Sequence, residues 1–225
     1  MDGHDASGST GGQVFRYIRK LVRVRRRDPQ DDLVSALVAA EQAGDKLSED
    51  EVVAMIFLLL IAGHETTVNL IGNGLLSLIE HPEELEKLRE QSSLMSSAVE
   101  ELARYEGPLE FANARWARCD VTISGVTIPK GEPALLSLTS ANRDPQQFTV
   151  PDVLDLTRGV NRHVAFGQGI HYCLGSALAR MEAQIAFSTL LRRFPVVRLA
   201  VPRSKLSWRR SLVLRGLKSL PLITS

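Results

Sequence analysis

The stretch that decides the fold is Phe166-Gly167-Gln168-Gly169-Ile170-His171-Tyr172-Cys173-Leu174-Gly175. Its first two glycines allow backbone dihedrals that other residues resist, so the chain can turn tightly and let something flat approach closely. Cys173 lies just ahead of a helical pattern, Ser176–Arg193, that Pro195 ends. A helix N-terminus offers free backbone N–H groups and the positive end of the helix dipole, and both favour a thiolate. A thiolate is in turn a soft, strongly donating metal ligand. The ordinary reading of a lone cysteine, a buried structural residue in a Gly-rich turn, competes with this one; ten residues in this order argue against it.

Working outward, the loop sits in a chain of 225 residues, 44% apolar and 24% charged, ordinary globular composition for one or two domains. Lys plus Arg is 27 and Asp plus Glu is 26, a net charge of +1 that argues against a global nucleic-acid binder. Two cysteines, Cys119 and Cys173, exclude a disulfide-stapled scaffold. The longest apolar run, residues 52–62, is too short to span a bilayer, and no secretory signal pattern opens the chain. The expectation is a soluble protein of a reducing compartment.

Residues 1–12 are rich in Gly and hydroxyl residues and read as a disordered leader. In 13–27, Val14, Phe15, Ile18, Leu21 and Val22 recur at helical spacing with six Arg and Lys off the stripe. Such a helix suits a membrane or nucleic-acid surface, or simply a solvated face. Asp28-Pro29 breaks it, and 31–43 forms another helix before Gly44. Ser48-x-x-Glu51 is a capping box opening a helix that runs to about Glu80, where His81-Pro82 stops it. Thirty-odd residues make it about 50 Å long. Because 52–62 is apolar on every face, this helix is expected to be buried all round. Pro82 opens a short helix, and Ser97-x-x-Glu100 is read as the cap of another ending at Gly107-Pro108. Val121–Ile123 and Val126–Ile128 read as strands, 139–172 as a long functional loop, and 196–200 and 212–223 as closing strands. Helices dominate, and there is no internal repeat.

Three motifs fail. His64-Glu65 starts a zincin pattern but Val68 holds the second histidine's place; Gly167-x-Gly169 lacks its third glycine at Tyr172; Gly11-Gly12 has no Lys-Ser/Thr after it. Two others stand. Ala62-Gly63-His64-Glu65-Thr66-Thr67 puts a glycine in mid-helix, where it costs about 1 kcal/mol against Ala. The absent side chains leave a shallow groove beside an acid and an alcohol; a plain polar end to a core helix is the alternative. Glu101-Leu-Ala-Arg104 is an i,i+3 ion pair, by itself commonplace.

In this order these motifs, with Arg26-Arg27-Asp28-Pro29 and Asn142-Arg143-Asp144-Pro145, resemble the cytochrome P-450 haem-thiolate monooxygenases of the soluble bacterial type. The resemblance covers residues 13–225. It implies a mainly α fold with a minor β-sheet, and specifically the C-terminal half of that single domain. It makes Cys173 the proximal ligand of haem b (iron protoporphyrin IX), whose thiolate favours O–O cleavage. Phe166, Gly167 and Gly169 shape the loop, and Phe166 packs near the thiolate. His171 and Arg115 become propionate contacts. His163 is either another cofactor residue or an ordinary polar loop residue. On the distal side Glu65 and Thr66 are the acid-alcohol pair, Glu65 feeding protons through water, with Ala62 and Gly63 leaving the O2 pocket open. Glu101 and Arg104 tie their helix to the irregular segment before the cysteine loop. Val153 stands there where the family commonly has an arginine, for which Arg158 is a candidate substitute.

The implied reaction inserts one oxygen of O2 into a small organic substrate, with electrons from NAD(P)H through a ferredoxin-type donor and its reductase. It implies a cytoplasmic enzyme with neither nucleic acid nor membrane as partner. Because the chain starts where such a domain is half built, a truncated haem-binding polypeptide without turnover is the alternative. Zinc held by His163, His171 and Cys173 is a third reading, weak because a structural site wants four ligands.

Overall fold

A computed structural model describes residues 10–43 and 47–225. The chain divides into two compact units, Met1–His64 and Glu65–Ser225.

In the first unit, α1 (Thr10–Arg27) and α2 (Leu33–Gln42) precede α3 (Glu49–Glu80), whose first half belongs here. The helix α1 takes in Thr10, Gly11 and Gly12, which the sequence reading places in a disordered leader; the rest of that stretch, residues 1–9, and Gly44 lie outside the described residues. The apolar stripe of α1 is buried at Ile18 and Val22 and packs with Val38, Val52 and Val53. Phe15 stacks on Phe57 at 4.4 Å. Several cations off that stripe are paired inside the unit: Arg26 meets Glu41 at 2.7 Å and Glu49 at 3.1 Å, Arg19 meets Asp50 at 2.9 Å, and Arg25 meets Asp32. Three of the seven cations of the helix are thus neutralised on a partly solvated face. Asp32 caps α2 by accepting from the Ser35 amide at 2.8 Å. The box that opens α3 forms as the spacing predicts: the Ser48 amide donates to Glu51 at 2.7 Å, and the Glu51 amide reaches Ser48 Oγ at 3.4 Å.

The expectation of a helix buried all round is not met. Only the face carrying Val52, Val53, Ile56 and Phe57 is packed, against the stripes of α1 and α2. Leu58, Leu60 and Ile61 are more than half exposed, at 58, 54 and 52%. A helix that is apolar on every side needs cover on every side, and α1 and α2 supply one. By length and composition α3 can also cross a membrane, a wider test than the 11-residue run meets. Its second half, however, buries Asn69, Asn73 and Ser77 as well as Leu70, Leu75, Leu76 and Leu78 within the second unit, as a core helix does.

In the second unit, residues 65–80 of α3 are followed by α4 (Pro82–Glu90), α5 (Met95–Tyr105), β1 (Arg115–Trp116), β2 (Val121–Ile123), β3 (Val126–Ile128), β4 (Pro133–Ala134), α6 (Leu138–Ala141), α7 (Ser176–Arg193), β5 (Val197–Leu199) and β6 (Leu222–Thr224). The strands form three antiparallel two-stranded ribbons, β1 with β4, β2 with β3 and β5 with β6. The β2–β3 hairpin turns at Ser124 (φ 49°) and Gly125 (φ 81°), the left-handed pair that suits a two-residue turn. The core gathers Leu70, Leu78, Leu88, Ala98, Val99, Leu102, Leu156, Ala183 and Phe187. At its centre Gly74 lets α3 approach the other helices: a Cβ there would meet Phe187 at 2.9 Å and Leu102 at 3.3 Å.

Two boundaries differ from the sequence reading. The helix α5 starts at Met95, and Ser97 sits inside its first turn with its hydroxyl on the Leu94 carbonyl at 2.9 Å, so Ser97 and Glu100 form no capping box. Of 212–223, only the end enters a ribbon strand, because Arg215 and Lys218 spend their amides on the Pro108 and Ser207 carbonyls.

Candidate functional site

The cysteine loop is built as its composition predicts. Gly167 and Gly169 take φ of 72° and 76°, conformations that a side chain at either position would strain. The Cys173 amide donates back to the Phe166 carbonyl at 2.9 Å, closing the loop on itself. Ahead of that closure the Gly167 amide reaches the Val164 carbonyl at 2.8 Å, and inside it the Tyr172 amide reaches the Gly169 carbonyl at 3.0 Å, around a 3-10 turn at Gly169–His171. Leu174 and Gly175 lead into α7, whose opening amides have no intrahelical acceptor. Cys173 is half-buried, while Ile170 and Leu174 beside it are 97 and 83% exposed. Cys119, the second cysteine, is exposed ahead of β2.

Phe166 is half-buried beneath the Arg180 guanidinium, 4.3 Å from its ring centre, and 5.9 Å from the His163 ring. His171 ends the 3-10 turn and is exposed. Arg115 lies on β1, also exposed, its guanidinium on the Asn113 and Ala114 carbonyls. Among the described residues neither of these meets a carboxylate, so both remain available to an anionic group. Among those residues no three His, Cys, Asp or Glu side chains come together to hold a metal ion, which removes the zinc reading. His163 is instead buried against Glu100 at 3.0 Å.

On α3 the helix runs unbroken through residues 62–67. Ala62 and Gly63, which close the first unit, are exposed, and a Cβ added at Gly63 would meet nothing within 4 Å. In the second unit Glu65 and Thr66 are half-buried, and Glu65 accepts from Arg209 at 3.5 Å.

Glu101 and Arg104, commonplace as a spacing, are among the most buried charges in the unit at 0 and 1% exposure. They pair in a fork, Nε to Oε2 at 2.8 Å and Nη2 to Oε1 at 2.7 Å. The remaining donors of Arg104 go to the carbonyls of Asn142, Pro151 and Val153, so all its N–H groups are satisfied. Glu101 also accepts from the Asp155 amide at 3.0 Å, Asn161 at 3.0 Å and Arg158 Nε at 3.1 Å. Arg158 thus takes the third charged place that Val153 leaves empty. Its other nitrogens hold the Thr149 and Val153 carbonyls.

Sequence reasoning missed several residues that hold this region. Asn142 is 2% exposed and its Oδ1 accepts the Val164 amide, fixing the start of the cysteine loop. Glu84 accepts the Leu156 amide at 2.9 Å. Glu100 collects His163 and the Nε and Nη2 of Arg180. Burial alone would push the Glu100 carboxyl up, but hydrogen bonds from His163 and Arg180 hold it down at about 2. The Asn142-Arg143-Asp144-Pro145 motif was a usable signal for one of these; a pairing across 80 residues of chain, as between Glu100 and Arg180, leaves none.

The fold and loop together suit one class of haem-binding protein, and comparison with known proteins identifies the family. A family model described as Cytochrome P450 matches residues 11–218, and the chain belongs to that family. It is 50% identical over 209 residues to the polyketide biosynthesis cytochrome P450 PksS of Bacillus subtilis, covering 93% of this chain and 52% of that protein. It is 47% identical over 219 residues to the vitamin D(3) 25-hydroxylase of Pseudonocardia autotrophica, covering 97% and 54%. Among solved structures, the ligand-free P450 monooxygenase TamI superposes with a TM-score of 0.91 at 49% identity, over 98% of this chain and 54% of that one. The chain spans about half the length of the curated relatives it matches.

Proposed function

We propose that this chain carries the thiolate-bearing part of a haem-dependent monooxygenase acting on a small organic substrate. The single observation behind the reading is the Cys173 loop, closed by its own amide on Phe166 and opening α7. The residues present suit a haem. Cys173 is a soft donor left half-exposed, Ile170 and Leu174 provide bare apolar contact beside it, and His171 and Arg115 are N–H donors without carboxylate partners among the described residues. When bound, haem b supplies the iron at which O2 is activated for insertion into a C–H or C=C bond.

The chain's own residues hold and shape that centre. Cys173 Sγ is the ligand, and the amides opening α7 temper the charge on the sulfur. Gly167 and Gly169 keep side chains off the face where a flat group lies. His171 and Arg115 orient anionic side groups. Glu65 passes protons through water toward the Thr66 hydroxyl, with Arg209 holding the carboxylate between transfers. Ala62 and Gly63 keep their stretch of α3 free of bulk. Electrons come from NAD(P)H through a ferredoxin-type protein and its reductase, in the cytoplasm. We take neither a nucleic acid nor a membrane as a partner.

A second reading, haem binding without turnover, is favoured by one observation: the bare apolar run at Leu58, Leu60 and Ile61. The test is an absorption spectrum of the reduced, carbon-monoxide-bound chain after haem reconstitution, beside Cys173→Ser. A strongly red-shifted Soret band that the serine abolishes is expected; a band unshifted and indifferent to the substitution overturns the assignment. Turnover with a surrogate ferredoxin then separates the two readings.

A further inference from the structure

Two neighbouring glutamates on α5 divide the irregular half of the second unit between them. Adjacent helical residues point about 100° apart, so their carboxylates serve different surroundings. Glu101 organises residues 142–161 through Arg104 and Arg158. Glu100 reaches the cysteine loop instead, and it does so from both ends.

At the near end His163 Nε2 lies 3.0 Å from Glu100 Oε2, with the ring only 3% exposed. His163 Nδ1 accepts the Ala165 amide at 3.2 Å, so the proton on the neutral ring sits on Nε2 and is donated to Glu100. Ala165 immediately precedes Phe166, where the loop begins. At the far end Arg180, in the second turn of α7, forks onto the same carboxylate, Nε to Oε1 at 2.6 Å and Nη2 to Oε2 at 2.9 Å. Its third nitrogen takes the hydroxyl of Tyr172 at 3.1 Å, the residue before Cys173, and its guanidinium plane covers Phe166. Cys173 therefore lies between two anchors that share one carboxylate.

We propose that Glu100, with His163 and Arg180, is a positioning set for Cys173: it fixes where the sulfur stands relative to α5 and keeps the loop shut on Phe166. This rests on the reading of Cys173 as the iron ligand, and it assigns to Glu100 a role separate from the Glu101–Arg104–Arg158 cluster. The fork matters as well as the charge. A lysine at position 180 can hold Glu100 but cannot hold Glu100 and Tyr172 together while lying flat on Phe166.

Amide hydrogen exchange on the full-length chain without haem tests the clamp itself. Glu100→Gln and Arg180→Met are each expected to speed exchange at Gly167, Tyr172 and Cys173 by about tenfold, with Arg180→Lys intermediate, while the core amides of α4 and α5 keep their rates. Unchanged loop amides, or acceleration of every amide together, overturn the proposal. A second readout ties the clamp to the ligand. After haem reconstitution the red-shifted carbon-monoxide band is expected to give way partly to an unshifted one in Glu100→Gln and Arg180→Met, and to recover only in part in Arg180→Lys. Loosened loop amides with a fully retained red-shifted band overturn the positioning role. If the wild-type chain itself yields no red-shifted band, the monooxygenase reading falls, and the positioning of an iron ligand falls with it. The exchange data then still decide whether the clamp exists.

Discussion

Arg158 shows how a single residue can take over a task that sequence position assigns elsewhere. It arrives at Glu101 from five residues beyond Val153, and it reaches the carboxylate with a side chain only 10% exposed. Removing it leaves Glu101 buried with one cation in place of two, takes the Arg158 donor from the Thr149 carbonyl, and leaves the Val153 carbonyl to Arg104 alone. Arg158→Met is expected to destabilise the second unit by about 2–3 kcal/mol. Denaturant unfolding followed by tryptophan fluorescence measures this, since Trp116 and Trp208 both lie in that unit; a loss below about 0.5 kcal/mol would mean that Arg104 alone suffices. Glu100 makes a pH prediction with a definite sign. Its folded-state value of about 2 lies below the ordinary 4.5, so its ionised form stabilises the fold above pH 4.5. That contribution is lost as the pH falls from about 4.5 through about 2. Stability of the wild type should decline across this window more steeply than that of Glu100→Gln, and parallel curves would remove Glu100 as the cause.

At the scale of elements, α3 carries two glycines two residues apart with opposite demands. Gly72 has open space where a Cβ would go, whereas at Gly74 the Phe187 ring is 2.9 Å away. Gly72→Ala should stabilise the chain by about 0.5–1 kcal/mol through helix propensity alone. Gly74→Ala gains the same propensity but must displace a buried ring, and the overpacking cost of about 1–3 kcal/mol makes it a net loss. Thermal unfolding of the two variants should therefore move in opposite directions. The same helix shows what local sequence can and cannot tell. Its start at Ser48-x-x-Glu51 and its end at His81-Pro82 are written in short-range chemistry and were legible. Which of its faces are covered depends on residues far away, and the apolar run that promised full burial is half bare. Ser97 failed for a related reason: its spacing to Glu100 suits a cap, but the helix begins two residues earlier, and Glu100 is claimed by partners 63 and 80 residues on.

Across the whole molecule, the elements that were legible are those whose signals are local: α7 to the residue, the β2–β3 hairpin, the cysteine loop with its two left-handed glycines. The architecture of the candidate site was legible where a motif names it, in the loop around Cys173 and in the Glu101–Arg104 pair. It was opaque where irregular backbone is held by side chains from afar, at Asn142, Glu84 and Glu100, because residues 139–172 have no periodicity to read and are ordered almost entirely by such tethers. One of these long links bears on synthesis. Asn73, 1% exposed in α3, gives its amide hydrogens to the Arg215 carbonyl at 3.0 Å and the Glu106 carbonyl at 3.4 Å, and Gly216, lacking a Cβ, leaves room for the Asn69 side chain one turn before it. The partner of Asn73 at Arg215 is 142 residues downstream. While the ribosome is still making that stretch, the second half of α3 carries a polar side chain with one of its two acceptors not yet in existence. Closure over so long a loop comes last. The helix that organises the second unit is thus among its earliest parts to emerge and among the last to be sealed, which gives nascent chains an extended interval in which a chaperone, not the fold, must shield it.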